Sequence, residues 1–138
     1  MDQRLSLVTL AVRDLDATRA FYVDGLGWSP LLEEPGDVLM FKVADKVILS
    51  LWVRGHFEDE VGPIGMTTGI APITLAHNVA TRELVDEVLT TAHRAGADPV
   101  QRAEEREWGG YTGYFGDPDG YRWEVACAPG EIGQEVLP

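Results

Sequence analysis

A tyrosine and a glutamate that face each other across a predicted β-hairpin are the residues best suited to chemistry. The hairpin spans 108–126, and Asp117 to Gly120 mark its turn, because proline suits the second position of a type I turn and glycine supplies the positive φ that closes it. Pairing of the residues beside the turn places Tyr114 opposite Glu124. The carboxylate can remove a proton next to a carbonyl group while the phenol stabilises the developing oxyanion. Glu124 and Tyr114 are therefore the candidate catalytic residues.

The register of this hairpin is chosen by the pattern of apolar residues. In the preferred register, Phe115 lies opposite Trp123 on an apolar face, and Thr112 lies on the polar face with Tyr114. A turn with four connecting residues instead sets Phe115 against Arg122 and mixes the two faces. A second interpretation of the polar face stays open, in which Glu124 pairs with Arg122 or Tyr114 only to satisfy buried polar groups.

The elements that position the hairpin follow a repeated order along the chain. Alternating apolar residues and turn signals predict strands at 5–12, 28–34, 38–44, 46–53, 73–79, 98–107 and in the hairpin. Asp14 or Asp16 is expected to cap a first helix that ends at Gly25 or Gly27, and Thr81 a second that ends at Gly96. The fold class is therefore α+β, with two βαβββ modules at 5–53 and 73–128. Residues 54–72 lack periodicity and are predicted to be a linker with the length of a lid.

The composition and the net charge indicate which binding partners and which cellular compartment to expect. The 138 residues carry a net charge of −12, which opposes binding to nucleic acid and to anionic membranes. Cys127 is the only cysteine, so an internal disulfide is excluded and a cytoplasmic setting is expected. No apolar run is long enough to span a bilayer. These features predict a soluble, intracellular protein whose partner is neither nucleic acid nor a membrane.

Two segments identify a family. Leu7-Val8-Thr9-Leu10-Ala11-Val12-Arg13-Asp14-Leu15 opens the first module, and Tyr114-Phe115-Gly116-Asp117-Pro118-Asp119-Gly120 lies near the end of the second. With the duplication, they resemble the vicinal oxygen chelate superfamily, which includes glyoxalase I, extradiol dioxygenases and bleomycin-binding proteins. The resemblance implies one domain over residues 1–138. Its modules curl into a cup-shaped mixed sheet with helices on the outer face, the ligand lies in the cup, and the protein is a homodimer.

The resemblance also implies where a metal would bind. Metal enzymes of the superfamily use one side chain from the first and last strand of each module, and these positions fall on Leu7, Leu49, Thr74 and Glu124. Only Glu124 is a good ligand, whereas such a site normally needs three or four nitrogen or oxygen donors. We therefore expect no cofactor, and a divalent metal is the less favoured alternative that requires a register shifted by two residues. A one-residue shift is excluded because it turns the apolar residues outward.

The cup implied by the resemblance is mostly apolar with a few polar groups, as is usual for a small-molecule pocket. Trp108 precedes Gly109 and Gly110, whose small size lets a ligand or another backbone approach closely, so its ring is a candidate stacking wall. The candidate ligand-binding residues are Thr9, Leu49, Thr74, Asn78, Trp108, Thr112 and Arg122. His77 is expected to be a hydrogen-bonded core residue, and the role of His56, in the linker, stays open.

Three hypotheses of function follow. The preferred one is a small-molecule-binding protein of the glyoxalase/bleomycin-resistance type without the family metal. The alternative is a lyase, isomerase or dioxygenase of the same superfamily, either metal-dependent or with Glu124 as the base. A third is a structural or regulatory dimer whose cup is filled by its own side chains, for example by the linker from Phe57 to Met66.

Overall fold

The computed structural model describes residues 1–65 and 69–137. The chain forms two compact units, Met1–Met66 and Thr67–Pro138, and each unit builds its own four-stranded mixed sheet. The boundary between them falls inside the segment 54–72, of which residues 66–68 lie outside the described residues. The predicted α+β class with two βαβββ modules is confirmed.

The first unit contains a sheet of strand order β1-β4-β3-β2, in which β1 and β4 are parallel and the other neighbours are antiparallel. Its elements are β1 (Leu7–Val12), α1 (Leu15–Arg19, continuing as a π-helical segment over Ala20–Gly25), β2 (Leu32–Glu34), β3 (Val38–Ala44), β4 (Val47–Val53) and α2 (Arg54–Val61). Asp14 caps α1, because its Oδ1 accepts hydrogen bonds from the amides of Asp16 and Ala17 at 3.0 and 3.1 Å.

The predicted strand 28–34 is shorter in the structure. The amide of Trp28 donates to the Tyr22 carbonyl at 2.9 Å and so completes the end of the helix instead of starting a strand. Pro30 has no amide hydrogen to contribute to a sheet. Pairing begins only at Leu31, whose amide donates to the Met40 carbonyl at 2.8 Å.

The prediction of an irregular linker over 54–72 was wrong for its first part, which forms α2. No residue of α2 is buried, so the sequence needs no apolar stripe there and shows no helical period. Arg54 and Glu58 form an ion pair one turn apart, with 3.0 Å between Arg54 Nη2 and Glu58 Oε1. The amide of Ile64 donates to the same Glu58 oxygen at 3.1 Å, which secures the chain beyond the helix.

The second unit contains a sheet of order β5-β8-β7-β6, in which β5 and β8 are parallel. Its elements are β5 (Thr74–Asn78), α3 (Arg82–Arg94), β6 (Val100–Glu105), β7 (Tyr111–Gly116), β8 (Arg122–Cys127) and α4 (Gly130–Glu135). The predicted hairpin register is confirmed, since Phe115 lies opposite Trp123 and Tyr114 opposite Glu124.

Helix α3 covers one face of the second sheet. Thr81 caps it by accepting a hydrogen bond from the Leu84 amide at 3.3 Å. Its buried residues are Val85, Leu89 and Ala92, and it packs against β6, β7 and β8. Gly113 of β7 permits this approach, because a Cβ there would lie 2.5 Å from Leu89 Cδ1. The apolar face of the hairpin is therefore the face that α3 buries.

Candidate functional site

The face of the second sheet away from α3, called the far face below, collects most of the predicted site residues. Residues paired directly across neighbouring strands point to the same side. Tyr114 pairs with Glu124, and Ala126 pairs with both Thr112 and Asn78. The predicted residues on the far face are Thr74, Asn78, Thr112, Tyr114, Arg122 and Glu124.

Tyr114 and Glu124 form the hydrogen bond at the centre of this face. The phenolic oxygen of Tyr114 donates to Glu124 Oε1 at 3.3 Å. Desolvation by burial, together with the negative charge and hydrogen bond of Glu124, raises the pKa of Tyr114. The phenol therefore keeps its hydrogen at neutral pH and remains a hydrogen-bond donor.

Arg106 belongs to the same cluster, although the sequence analysis missed it. Its guanidinium carbon lies 6.0 Å from the centre of the Tyr114 ring. Its Nη1 donates to Glu104 Oε1 at 2.5 Å and its Nη2 to the Thr112 carbonyl at 3.3 Å. The pairing of β6 with β7 shifts between Gln101 and Glu104, and no residue pattern marks this irregularity. The positive charge of Arg106 lowers the pKa of Tyr114 and so opposes the larger effects that raise this pKa.

Thr112 contributes a polar atom without a partner. The side chain is 1% exposed. Its Oγ1 makes no hydrogen bond to any residue in 1–65 or 69–137. A buried hydroxyl without a partner costs about 1–3 kcal/mol, so such an atom calls for an explanation.

Arg122 lies on the far face but turns away from Glu124. Its Nη1 donates to the Gly120 carbonyl at 3.4 Å, at the hairpin turn. The side chain lies over Gly116, where a Cβ would approach Arg122 Nη1 to 2.3 Å. The missing side chain of Gly116 gives the guanidinium this route. Of the two pairs that the sequence left open, Glu124 with Arg122 does not form in the described residues, whereas Glu124 with Tyr114 does.

Trp108 lies outside this cluster, in the turn between β6 and β7, and its side chain is 55% exposed. The prediction that Gly110 leaves room there for a ligand was wrong. A Cβ on Gly110 would lie 1.8 Å from Trp108 Cη2, so the ring of Trp108 itself fills the space.

The two predicted site residues of the first unit lie on opposite faces of its sheet. Thr9 pairs with Ser50, whereas Leu10 pairs with Leu51. Leu49 therefore shares the helix-covered face and is 2% exposed, so its placement beside Thr9 was wrong. The cause is that β4 has apolar residues on both faces, and the apolar pattern does not exclude a one-residue shift. Ser50, buried at 2%, takes the predicted position of Leu49.

His77 is on the helix side of the second sheet, as its register with Val125 shows. The prediction of a core histidine was nevertheless wrong, because its side chain is exposed. Strand β5 is at the edge of the sheet, whereas α3 covers β6, β7 and β8. Partial desolvation still lowers the pKa of His77.

The donor groups on these faces do not fit the metal of the superfamily. On the far face, β5 and β8 carry Thr74, Ala76, Asn78, Arg122, Glu124 and Ala126. On the corresponding face of the first sheet, β1 and β4 carry Leu7, Thr9, Ala11, Ile48, Ser50 and Trp52. These twelve positions include one carboxylate and no imidazole. Nowhere in residues 1–65 and 69–137 do three histidine, cysteine, aspartate or glutamate side chains lie close enough to share a metal ion.

A cleft of about 650 Å³ lies on the other side of the second sheet, between α3 and β6. Leu89, Val100 and Ala103 supply its apolar lining, and Asp86, Thr90, His93, Arg102 and Tyr111 its polar lining. The hydroxyl of Tyr111 donates to Asp86 Oδ1 at 3.1 Å. A small molecule has room to bind in this cleft.

The fold is similar to the folds of several solved structures. A glyoxalase-related enzyme from Fulvimarina pelagi is 31% identical over 90% of this chain and 87% of its own, with a TM-score of 0.80. Lactoylglutathione lyase from Agrobacterium tumefaciens is 26% identical over 91% and 94%, with a TM-score of 0.69. A glyoxalase/bleomycin resistance protein/dioxygenase family enzyme from Burkholderia phytofirmans PsJN is 23% identical over 88% and 95%, with a TM-score of 0.75.

No curated protein matches the sequence. The family profile that matches spans residues 4–125, and so includes both sheets and the Tyr114–Glu124 pair. With the duplicated module and the solved relatives, this match identifies the family. The chain belongs to the Glyoxalase/Bleomycin resistance protein/Dioxygenase superfamily.

Proposed function

We propose that this protein binds a small organic molecule on the far face of its second sheet, without the metal of the superfamily. The observation that carries the proposal is the buried Thr112 hydroxyl, which has no hydrogen-bond partner in the described chain and lies beside the Tyr114–Glu124 pair. Because this hydroxyl is fully buried, a ligand reaches it only by displacing the atoms that cover it, and a donor or acceptor supplied in this way would remove the cost of burying the group.

The surrounding groups define the chemistry of the ligand. Glu124 uses Oε1 to accept the Tyr114 hydrogen bond, and its second oxygen is suited to a donor on the ligand, such as an ammonium, amide or hydroxyl group. The Tyr114 ring supplies a flat apolar surface. The net charge of −12 favours a neutral or cationic ligand over an anionic one. We therefore propose an aromatic or cationic organic molecule.

The test is a titration with a panel of cationic and aromatic compounds, followed by two-dimensional NMR of labelled protein. We expect at least one compound to bind with a micromolar dissociation constant and to shift signals of Thr112, Tyr114 and Glu124. Thr112→Val and Glu124→Gln are each expected to weaken binding about tenfold or more, which corresponds to about 1.4 kcal/mol.

Matched controls lie on α3. Thr91→Val and Glu87→Gln make the same chemical changes at exposed positions of the helix, and we expect neither to alter affinity. The proposal fails if no compound of the panel binds. It also fails if binding shifts only signals of the α3–β6 cleft, or if Thr112→Val and Glu124→Gln bind as tightly as the original protein.

A second candidate function is proton transfer by the same pair. Because the raised pKa keeps Tyr114 protonated, the residue is suited to donate a hydrogen bond to an oxyanion, while Glu124 removes a proton next to a carbonyl group. This is the lyase or isomerase alternative, and the adjacency of the two side chains across β7 and β8 favours it. The Tyr114 hydroxyl has one hydrogen to donate, so it would turn from Glu124 to the oxyanion during the reaction.

Exchange of a substrate proton with deuterated solvent measures this activity directly, and glyoxal-type and hydroxyketone compounds are suitable probes. Glu124→Gln is expected to abolish exchange while the far-ultraviolet circular dichroism stays unchanged, and Glu87→Gln is expected to retain it. Exchange that continues in Glu124→Gln would exclude Glu124 as the base.

The proposed partner is a small molecule, and the chain is proposed to act as a homodimer that binds neither nucleic acid nor anionic membranes. The acidic charge opposes both polyanions. None of the helices in 1–65 and 69–137 combines the length and apolar character needed to cross a membrane. Sedimentation velocity would test the dimer. If the protein retards a DNA fragment in a gel-shift experiment at low salt, the proposal that it does not bind nucleic acid is contradicted.

A further inference from the structure

The first unit contains a hydrogen-bonded chain of three side chains that the proposed function does not use. Asp37 Oδ1 accepts a hydrogen bond from the indole Nε1 of Trp52 at 2.7 Å and lies 2.7 Å from Nδ1 of His56. Asp37 directly precedes β3, Trp52 belongs to β4 and His56 lies in α2. Three separate elements therefore meet at one carboxylate oxygen.

This geometry determines which nitrogen of His56 carries hydrogen. A carboxylate only accepts hydrogen bonds, and the contacts from His56 and Trp52 hold the pKa of Asp37 below its usual value. Asp37 is therefore ionised at neutral pH, and Nδ1 of His56 must be the donor. In the neutral ring, Nε2 is then unprotonated and able to accept a proton.

The surroundings of the ring are suited to a substrate. The side chain of His56 is 55% exposed, so solvent and small molecules reach it. The half-buried rings of Trp52 and Phe57 meet edge to face with centroids 6.3 Å apart and offer an aromatic surface beside Asp37. An imidazole oriented by a carboxylate that a third group holds in place is the arrangement that activates catalytic bases.

We propose that His56 is a general base, positioned by Asp37, that acts on a small carbonyl compound whose aromatic part packs on Trp52 and Phe57. His56 Nε2 takes a proton from water while the water oxygen forms a bond to the carbonyl carbon. The bond from that carbon to the leaving oxygen then breaks, and the leaving group departs as an anion. The imidazolium returns its proton to solvent, and the Asp37 carboxylate offsets its charge until then.

The probe is p-nitrophenyl acetate, a small aromatic ester whose hydrolysis is followed by the absorbance of p-nitrophenolate. We expect the full chain to accelerate hydrolysis above the buffer rate. His56→Gln is expected to lower the protein-dependent rate by at least about tenfold, since general-base catalysis typically contributes 10² or more. His93→Gln is the matched control, an exposed histidine of α3, and its rate is expected to stay unchanged.

Asp37→Asn tests the positioning role, because it removes the charge and keeps the size. We expect it to lower the hydrolysis rate and to change the ¹⁵N chemical shifts of the His56 ring, which in the original protein report a hydrogen on Nδ1. The shifts need no turnover, so they test the proposal even if His56→Gln fails to fold. A rate unchanged in His56→Gln, an equal loss in His93→Gln, or a hydrogen on Nε2 in the original protein would each overturn it.

Discussion

Tyr114 and Glu124 are direct partners across β7 and β8, and the tyrosine hydroxyl donates to Glu124 Oε1 at 3.3 Å. Desolvation by burial is the largest cause that raises the pKa of Tyr114, and the Glu124 carboxylate raises it further by its charge and by the hydrogen bond it accepts. Burial favours the neutral phenol over the phenolate, and the neighbouring carboxylate anion strengthens this preference. The two residues are thus coupled even without a ligand.

The first prediction follows from this coupling. Glu124→Gln removes the negative charge, so the pKa of Tyr114 is expected to fall, while the contribution of desolvation remains. Ultraviolet titration of tyrosinate at alkaline pH measures the change, with Tyr114→Phe to identify the signal among the four tyrosines. An unchanged titration in Glu124→Gln would show that the hydrogen bond is absent in solution.

The second prediction concerns the unpaired hydroxyl of Thr112. Thr112→Val replaces it by a methyl group of similar shape, so the variant no longer buries a polar atom without a partner. We expect the free energy of unfolding to stay the same or to rise by up to about 1–3 kcal/mol, as measured by urea unfolding. A clear loss of stability would mean that Thr112 has a hydrogen-bond partner in the free protein.

The third prediction separates two leucines that the sequence analysis placed on one face. Leu49 is 2% exposed and Leu7 is 44% exposed. Leu49→Ala is expected to lower the free energy of unfolding by about 2–5 kcal/mol, because it leaves a cavity. Leu7→Ala is the matched control and is expected to cost less than about 1 kcal/mol. Equal losses in the two variants would contradict the register of β1 with β4.

The sequence predicts the pairing of β7 with β8 correctly but not the pairing of β1 with β4. The hairpin register was predicted because the turn from Asp117 to Gly120 joins β7 directly to β8 and sets the pairing locally. No such turn joins β1 to β4, and apolar residues on both faces of β4 left its register undetermined. Because the predicted register was wrong by one residue, Leu49 was assigned to the wrong face and Ser50 was not recognised as the residue beside Thr9.

Contacts between distant residues were harder still to predict. Asp37 and His56 lie 19 residues apart, and their contact depends on α2, which has no buried residue and therefore no apolar period to reveal it. Arg106 approaches Tyr114 from just beyond β6, whose pairing with β7 is irregular. Both contacts depend on the way elements pack together, which a local residue pattern does not encode.

The fourth prediction contrasts two glycines near the hairpin. A Cβ on Gly113 would lie 2.8 Å from the Gln101 carbonyl oxygen as well as against Leu89, so Gly113→Ala is expected to cost about 1–3 kcal/mol through overpacking. The three atoms nearest to a Cβ on Gly110 all belong to the exposed ring of Trp108, which can move aside. Gly110→Ala is therefore expected to change tryptophan fluorescence with little loss of stability. Thermal unfolding followed by fluorescence distinguishes these results, and a larger loss in Gly110→Ala would contradict them.

The fifth prediction concerns acid stability and the contacts of Asp37. Hydrogen bonds from His56 and Trp52 lower the pKa of this carboxyl below its usual value of 3.8. A group with a lowered folded-state pKa binds protons more readily in the unfolded chain, so its stabilising contribution is complete above pH 3.8 and is lost as the pH falls through the folded-state value. Asp37→Asn is expected to remove this part of the pH dependence. Urea unfolding from pH 6 to pH 2.5 measures the difference, with Asp59→Asn of the same unit as the control.

Identical acid profiles for Asp37→Asn and the original protein would show that Asp37 titrates alike in the folded and unfolded chain, and that its contacts with His56 and Trp52 do not persist in solution.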